Sequence, residues 1–291
     1  MNYILYYLLL YPLSKLPFWV LFRISDGIYI VLYYVFGYRK KVVQLNLKNS
    51  FPEKTAAELK QIEKKFYKHL CDLIVEAIKN FTISAEELER HVHCINPDFC
   101  PNYYNEGRNM IIVTGHYANW EWPSTLFGVY SKHKSMGIYM PIKSKFWNEK
   151  VYKSRGKTGI VLAAPKEVPL FFEKYKNEPV KGGFIADQSP GNPEKAYWTT
   201  FLNQDTPVLF GSEKYAVEYN CVVAYGKITK VKRGYYQIEF VLITENPRDL
   251  KKGEITELHT RFNEKLIQSA PEYWLWTHKR WKHKRPVKQA Q

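Results

Sequence analysis

From residue 109 onward the chain alternates short apolar runs with helical stretches. No other feature limits the fold as much. Residues 110–114 (MIIVT), 136–140 (MGIYM), 160–164 (IVLAA), 183–186 (GFIA), 221–228 (CVVAYGKI) and 235–243 (YYQIEFVLI) read as strands. Residues 165–176 and 254–269 read as helices among or after them. Strands interleaved with helices argue for an α/β sheet. Upstream, residues 55–80 form a helix candidate. Thr55 and Glu58 make a capping box, and Leu59, Ile62, Phe66, Leu70, Ile74 and Ile78 recur at near-helical spacing. A chain of 291 residues is long enough to bury a real core. With 45% hydrophobic and 24% charged residues, wholesale disorder is excluded.

Residues 1–37 differ from the rest. They hold three charged residues (Lys15, Arg23, Asp26) and seven tyrosines. A signal peptide needs a positive start and a small-residue cleavage site, and neither is present. A spanning helix needs roughly 20 unbroken apolar residues. Here the runs are shorter, with Pro12 and Pro17 between them. Tyr and Trp favour the membrane–water boundary. The pattern therefore favours a re-entrant or interface-lying anchor over a single span, with a pair of buried core helices as the alternative. Tyr38-Arg39-Lys40-Lys41 follows at once, and the positive-inside bias then places residues 38–291 in the cytoplasm.

Forty-three Lys and Arg against 28 Asp and Glu give a net charge of +15, and aromatics make up 16% of the chain. Such a surface suits an anionic partner: nucleic acid, anionic lipid or an acidic carrier protein. Cys71, Cys94, Cys100 and Cys221 are too few for a disulfide scaffold and form no C-x-x-C pair, which points to a reduced compartment. His91, His93, Cys94 and Cys100 fit no standard zinc module, so no metal is expected. The stretch 271–285 (PEYWLWTHKRWKHKR) reads as an interface belt. Trp274 and Trp276 would sit at headgroup depth, with Lys279, Arg280, Lys282, Lys284 and Arg285 against anionic lipid. Its rivals are a stacking surface for single-stranded nucleic acid and a merely solvated tail.

Chemistry concentrates in residues 111–122 (IIVTGHYANWEW). An apolar strand runs into Gly115 and His116, with Glu121 five residues on. On one helix that spacing separates two side chains by about 140°. They can meet if His116 lies in the turn after the strand and Glu121 in the first turn of the next helix. Asn119 would then cap that helix, and Pro123 would fit an early helical position. Such a turn lies where open α/β sheets bind ligands. An imidazole held by a carboxylate is a general base. No G-x-S-x-G elbow exists, so a substrate hydroxyl remains as the proton source. The bland alternative is a histidine that only caps the strand end.

Gly115-His116-Tyr117-Ala118-Asn119-Trp120-Glu121 resembles the H-x4-D/E motif of the glycerolipid acyltransferase superfamily. It is most similar to the late lipid A acyltransferases, the lauroyl and myristoyl transferases of Gram-negative bacteria. The resemblance covers nearly the whole chain. It continues through Tyr38–Val43 with Asn46-Leu47 and Ser50–Glu53, then Tyr139–Lys143 with Arg155–Gly159, and Asp187–Gly191. Phe201-Leu202 through Pro207 and Gly211 follow, then Pro271-Glu272 with Trp274, Trp276, His278, Lys279 and Arg280. Each block is weak alone; their order and spacing are specific.

The resemblance implies a mixed β-sheet flanked by helices, of the glycerol-3-phosphate-acyltransferase type, behind a membrane-associated N-terminal segment. It implies transfer of a fatty acyl chain from an acyl carrier protein thioester to a hydroxyl of a lipid A precursor, at the cytoplasmic face of the inner membrane. His116 would take the hydroxyl proton and Glu121 would orient and polarise His116. Arg155 would meet the oxyanion or a lipid phosphate. Asp187 would order its loop or pair with Arg155. No cofactor is implied, since the acyl thioester is a co-substrate. The rivals are acylation of another lipid (an amino-acid lipid or lysophospholipid) and, from a different class, a membrane-anchored nucleic-acid-binding protein.

Overall fold

The computed structural model describes residues 2–286; residues 287–291 at the end of the expected catalytic domain lie outside the described residues. The N-terminal segment is a helical pair. Helices α1 (Asn2–Ile4) and α2 (Tyr11–Lys15) run on from one another through a π-helical stretch, Leu5–Leu10. The chain breaks at Leu16-Pro17, where the fixed φ of proline starts a new helix. Helix α3 (Phe18–Tyr29) continues as π-helical Ile30–Phe36 and ends at Gly37, whose φ of +58° closes it. Helices α4 (Lys40–Ser50) and α5 (Ala56–Lys79) follow, α5 opening on the Thr55–Glu58 capping box.

The remaining order is α6 (Ala85–His91), β1 (Val92–Cys94), α7 (Phe99–Asn105), β2 (Met110–Thr114), α8 (Glu121–Thr125), β3 (Lys134–Ile138), α9 (Lys145–Arg155) and β4 (Val161–Ala163). Then come α10 (Val168–Lys174), β5 (Val180–Ile185), β6 (Tyr197–Phe201), β7 (Gln204–Val208), α11 (Gly211–Glu218), β8 (Val222–Lys232), β9 (Tyr235–Thr244) and α12 (Glu254–Ser269). Seven strands form a mixed sheet in the order β1-β9-β8-β2-β5-β3-β4, in which only the β8–β9 pair is antiparallel. β6 and β7 make a separate antiparallel hairpin. The expected α/β class and mixed sheet are therefore present. β1 and the β6–β7 hairpin were not expected; β1 is three residues long, and the hairpin is polar for a strand pair.

β2 shows how the sheet is buried. Met110 and Ile112 point into one apolar layer and Ile111 and Val113 into the other, the period-two alternation of a strand covered on both faces. The larger layer includes α5 and α3 side chains, and the smaller one includes α10 and α11. In α5 the expected apolar stripe is only partly buried, and Ile74 is 37% exposed. The most buried face instead carries Glu63, His69, Asp72, Glu76 and Lys79 beside Phe66, Tyr67, Cys71 and Val75. A second helix explains the shift, since α3 packs along α5 and leaves it covered on more than one side.

That docking is polar as well as apolar. Ser25 donates to Asp72 at 2.8 Å, Lys79 donates to the Leu16 carbonyl at 3.1 Å, and Thr82 to the Ser14 carbonyl at 2.6 Å. Arg233 bridges Asp26 and Asp72. Phe18–Phe36 is the one helix among the described residues that is long and apolar enough to cross a membrane. Its outward side exposes Trp19, Ile30, Val31, Tyr34, Val35 and Phe36.

Candidate active site

Parallel strand register builds the site. β2 and β5 are neighbours with Thr114 opposite Ile185, and the Ala186 amide donates to the Thr114 carbonyl at 3.0 Å. Two residues further along each strand are His116 and Asp187. The chain ends of adjacent parallel strands thus bring together two residues 71 apart in sequence. His116 Nδ1 lies 2.6 Å from Asp187 Oδ1, and the His116 backbone amide donates to Oδ2 at 2.7 Å. Trp274 Nε1 donates to the same Oδ2 at 2.7 Å. Gly115 makes the approach possible. A Cβ there would lie 2.9 Å from Asp187 Oδ2 and 2.5 Å from Asn263 Oδ1.

Burial pushes the Asp187 carboxyl up, but the His116 imidazole and the hydrogen bonds from Trp274 and the His116 amide outweigh it. Its net pKa is below the usual aspartate value, so Asp187 is an anion. An ionised carboxylate only accepts, so Nδ1 carries the proton and Nε2 the lone pair. Gln188 places its amide nitrogen 3.0 Å from Nε2, and Trp120 sets its ring edge-on 5.0 Å from the imidazole.

Glu121 does not fill the expected place. It opens α8, and its carboxylate is held by Arg155 of α9: Nε donates to Oε2 at 2.8 Å and Nη2 to Oε1. Arg155 accordingly does not pair with Asp187. The expected pairings are exchanged, with His116 on Asp187 and Glu121 on Arg155. Asn119 lies one residue before the N-cap, Trp120, yet it still meets the first turn: its Oδ1 accepts from the Trp122 amide at 3.1 Å. Its other end donates to Glu76 of α5 at 2.7 Å. Ala118, between His116 and Asn119, takes a left-handed φ of +51°, a strained conformation held on both sides. Its amide donates to the Tyr273 carbonyl, and its own carbonyl faces His69 Nε2 at 3.3 Å.

A cavity of about 580 Å³ opens from the imidazole, within the range of small-molecule sites. His116, Trp120, Glu121, Arg155 and Gln188 form its polar portion. Its body runs across the sheet and is apolar, with Ile112, Phe127, Ile160, Leu162, Phe184 and Ile238 among its walls. Met140 lines it too and is 72% exposed. The N-terminal helices lie beside this rim. Asn2 reaches Ser144, and the Tyr6 ring packs edge-on against Phe146 and Trp147.

The C-terminal segment is placed differently from the expected belt. Trp274 is 2% exposed, Trp276 0% and Arg280 1%. Both indoles sit in the larger core layer, and Arg280 donates to the Pro207 carbonyl at 2.7 Å. These three residues therefore face neither lipid headgroups nor a nucleic-acid strand. Regularly spaced tryptophans followed by cations read equally well as a buried clamp or an exposed belt, and only the fold separates the two.

A search of curated proteins finds no match. The sequence model for bacterial lipid A biosynthesis acyltransferases matches residues 1–283, almost the full length. With an α/β sheet that ends in an imidazole paired to a buried carboxylate at the head of an apolar cavity, the chain belongs to the bacterial lipid A biosynthesis acyltransferase family.

Proposed function

We propose that this acyltransferase of lipid A biosynthesis works through His116 as general base, with Asp187 as its carboxylate partner. One observation carries the reading: Asp187 leaves the lone pair of His116 on Nε2, at the head of a largely apolar cavity of about 580 Å³. The acceptor is a hydroxyl on a lipid A precursor and the donor an acyl carrier protein thioester. The acceptor hydroxyl displaces Gln188 from Nε2 and gives up its proton there. Its oxygen bonds to the thioester carbonyl carbon, giving a tetrahedral oxyanion. As that collapses, the C–S bond breaks and the imidazolium returns its proton to the departing thiolate. Asp187 stabilises the imidazolium throughout. Arg155, oriented by Glu121, presents its guanidinium to the oxyanion or to a lipid phosphate.

The enzyme works at the cytoplasmic face of the inner membrane. The exposed apolar side of the N-terminal helices lies beside the cavity rim. The polar docking of those helices along α5 suits a segment lying in the interface, where the acceptor's acyl chains are held.

Mass spectrometry of lipid A from a deletion strain, complemented with wild type or His116→Ala, tests both acceptor and base. Loss of one acyl chain on deletion, restored by wild type and not by His116→Ala, is the expected result. Activity of purified His116→Ala should fall by about 10²–10⁴. Intact lipid A with a different hydroxylated lipid lacking a chain would reassign the acceptor. Comparable turnover by His116→Ala would end the mechanism.

A further inference from the structure

Asp187 has a second side. Away from the cavity it borders a small chamber of about 10 Å³, lined by Thr114, Tyr225, His259, Asn263 and Arg280 among others. Arg280 is 1% exposed and His259 3%. Only Nη2 of the guanidinium is bonded, to the Pro207 carbonyl. Arg280 Nε and Nη1 and His259 Nε2 have no hydrogen-bond partner among the described residues. Unmade hydrogen bonds on a buried cation are costly, and such atoms are nearly always satisfied by protein or by ordered water. A chamber of this size holds about one water, and a buried water takes roughly three polar partners. The charges select the same occupant. An anion would sit beside Asp187 and a cation beside Arg280, whereas a neutral molecule that both donates and accepts suits both.

We propose that this chamber binds a single ordered water joining Arg280 and His259 to Asp187, and that Arg280 is thereby a positioning residue for the His116–Asp187 pair. The inference rests on the reading of His116 as the base.

The electrostatic consequence has a definite sign. The groups facing the pair are Tyr225 from β8, His259 from α12, and His278 and Arg280 from the C-terminal segment; across the cavity Glu121 and Arg155 offset each other. Burial raises Tyr225 far above the usual tyrosine value and, together with nearby Arg280 in the case of His278, pulls His259 and His278 down to about 4. All three are neutral near pH 7. Burial lowers Arg280 to about 10, with Asp187 opposing, so it stays a cation. Among these facing groups, Arg280 is therefore the charge that balances Asp187. Removing it raises the affinity of the His116–Asp187 pair for a proton, whichever of the two binds it.

The test is the pH profile of kcat/KM for wild type, Arg280→Gln, Arg280→Lys and His116→Ala, each checked for fold by circular dichroism. The acid limb of Arg280→Gln should move up by about one pH unit or more. Arg280→Lys, which keeps the charge, should hold that limb near the wild-type position. A folded Arg280→Gln protein with an unmoved acid limb overturns the proposal and leaves the role of His116 intact. Activity in His116→Ala overturns that role instead. A high-resolution crystal structure of the wild-type enzyme decides the matter if Arg280→Gln does not fold. Water density within hydrogen-bond reach of Arg280 Nη1 and His259 Nε2 supports the site. Its absence, or a side chain in that place, overturns it.

Discussion

His116, the proposed base, pairs with Asp187, a residue 71 positions away from it in sequence. Asp187→Asn should lower kcat on the order of 10²–10⁴-fold, because the amide neither fixes the Nδ1–H tautomer nor stabilises the imidazolium. Since the two groups act as one unit, the His116→Ala/Asp187→Asn double variant should fall little below the worse single. Glu121→Gln, which loosens Arg155, should raise KM more than it lowers kcat. Steady-state kinetics on purified proteins decide. A mild Asp187→Asn together with a crippling Glu121→Gln would return the carboxylate role to Glu121. His116 itself was legible in the sequence, because a strand running into Gly-His is a local pattern. Its partner was not legible. The five-residue spacing to Glu121 offered a nearby carboxylate, whereas the true neighbour is set by the β2–β5 register, Thr114 opposite Ile185. Gly115 offered a local hint, since a glycine there admits a side chain from another strand.

At the scale of elements, α5 does more than the amphipathic helix of the sequence suggests. Its length and capping box were legible, being local chemistry. Its buried polar face was not, because Glu63, Asp72, Glu76 and Lys79 look like an ordinary solvated side until α3 and β9 cover it. Glu76 is fully buried and accepts from Asn119 and Tyr236, so it holds Asn119 in the turn that carries His116. Burial raises its pKa from 4.5 to about 7, against the pull of Lys230 and its hydrogen bonds. The sign follows from linkage: the folded state holds the proton more tightly than the unfolded state. This contribution is fully present below about pH 4.5 and is lost as pH rises through about 7. At 1.36 kcal/mol per unit, the swing is on the order of 3 kcal/mol. Denaturant unfolding across that window should show stability falling with pH, and Glu76→Gln should flatten the fall. An unchanged slope in Glu76→Gln would place the titration elsewhere.

For the whole molecule, the proposed function asks the surface to meet two substrates, and the net charge of +15 and the apolar N-terminal helices suit one each. In that proposal the exposed apolar side of α3 meets the lipid. Exposed Lys143, Lys145 and Lys153 lie on the segment between Met140 and Arg155, two residues that line the cavity. An acyl carrier protein is acidic over a broad face, so a cationic rim should steer it into encounter and raise its association rate. An acyl-coenzyme A is also anionic, and charge alone does not choose between them. The protein donor engages more charges at once, and its rate should therefore fall more steeply with salt. At physiological ionic strength the screening length is about 8 Å, short enough for added salt to erode steering across a protein interface. The measurement is kcat/KM for matched acyl chains on both donors across a salt series, with the acceptor held in the same detergent. The carrier-protein donor should be preferred at low salt and should show the steeper slope. Replacing Lys143, Lys145 and Lys153 together by Gln should reduce that slope and leave the coenzyme A donor nearly unaffected. Equal use of both donors, with similar slopes and no effect of the three lysines, would mean that the basic rim faces lipid phosphate instead.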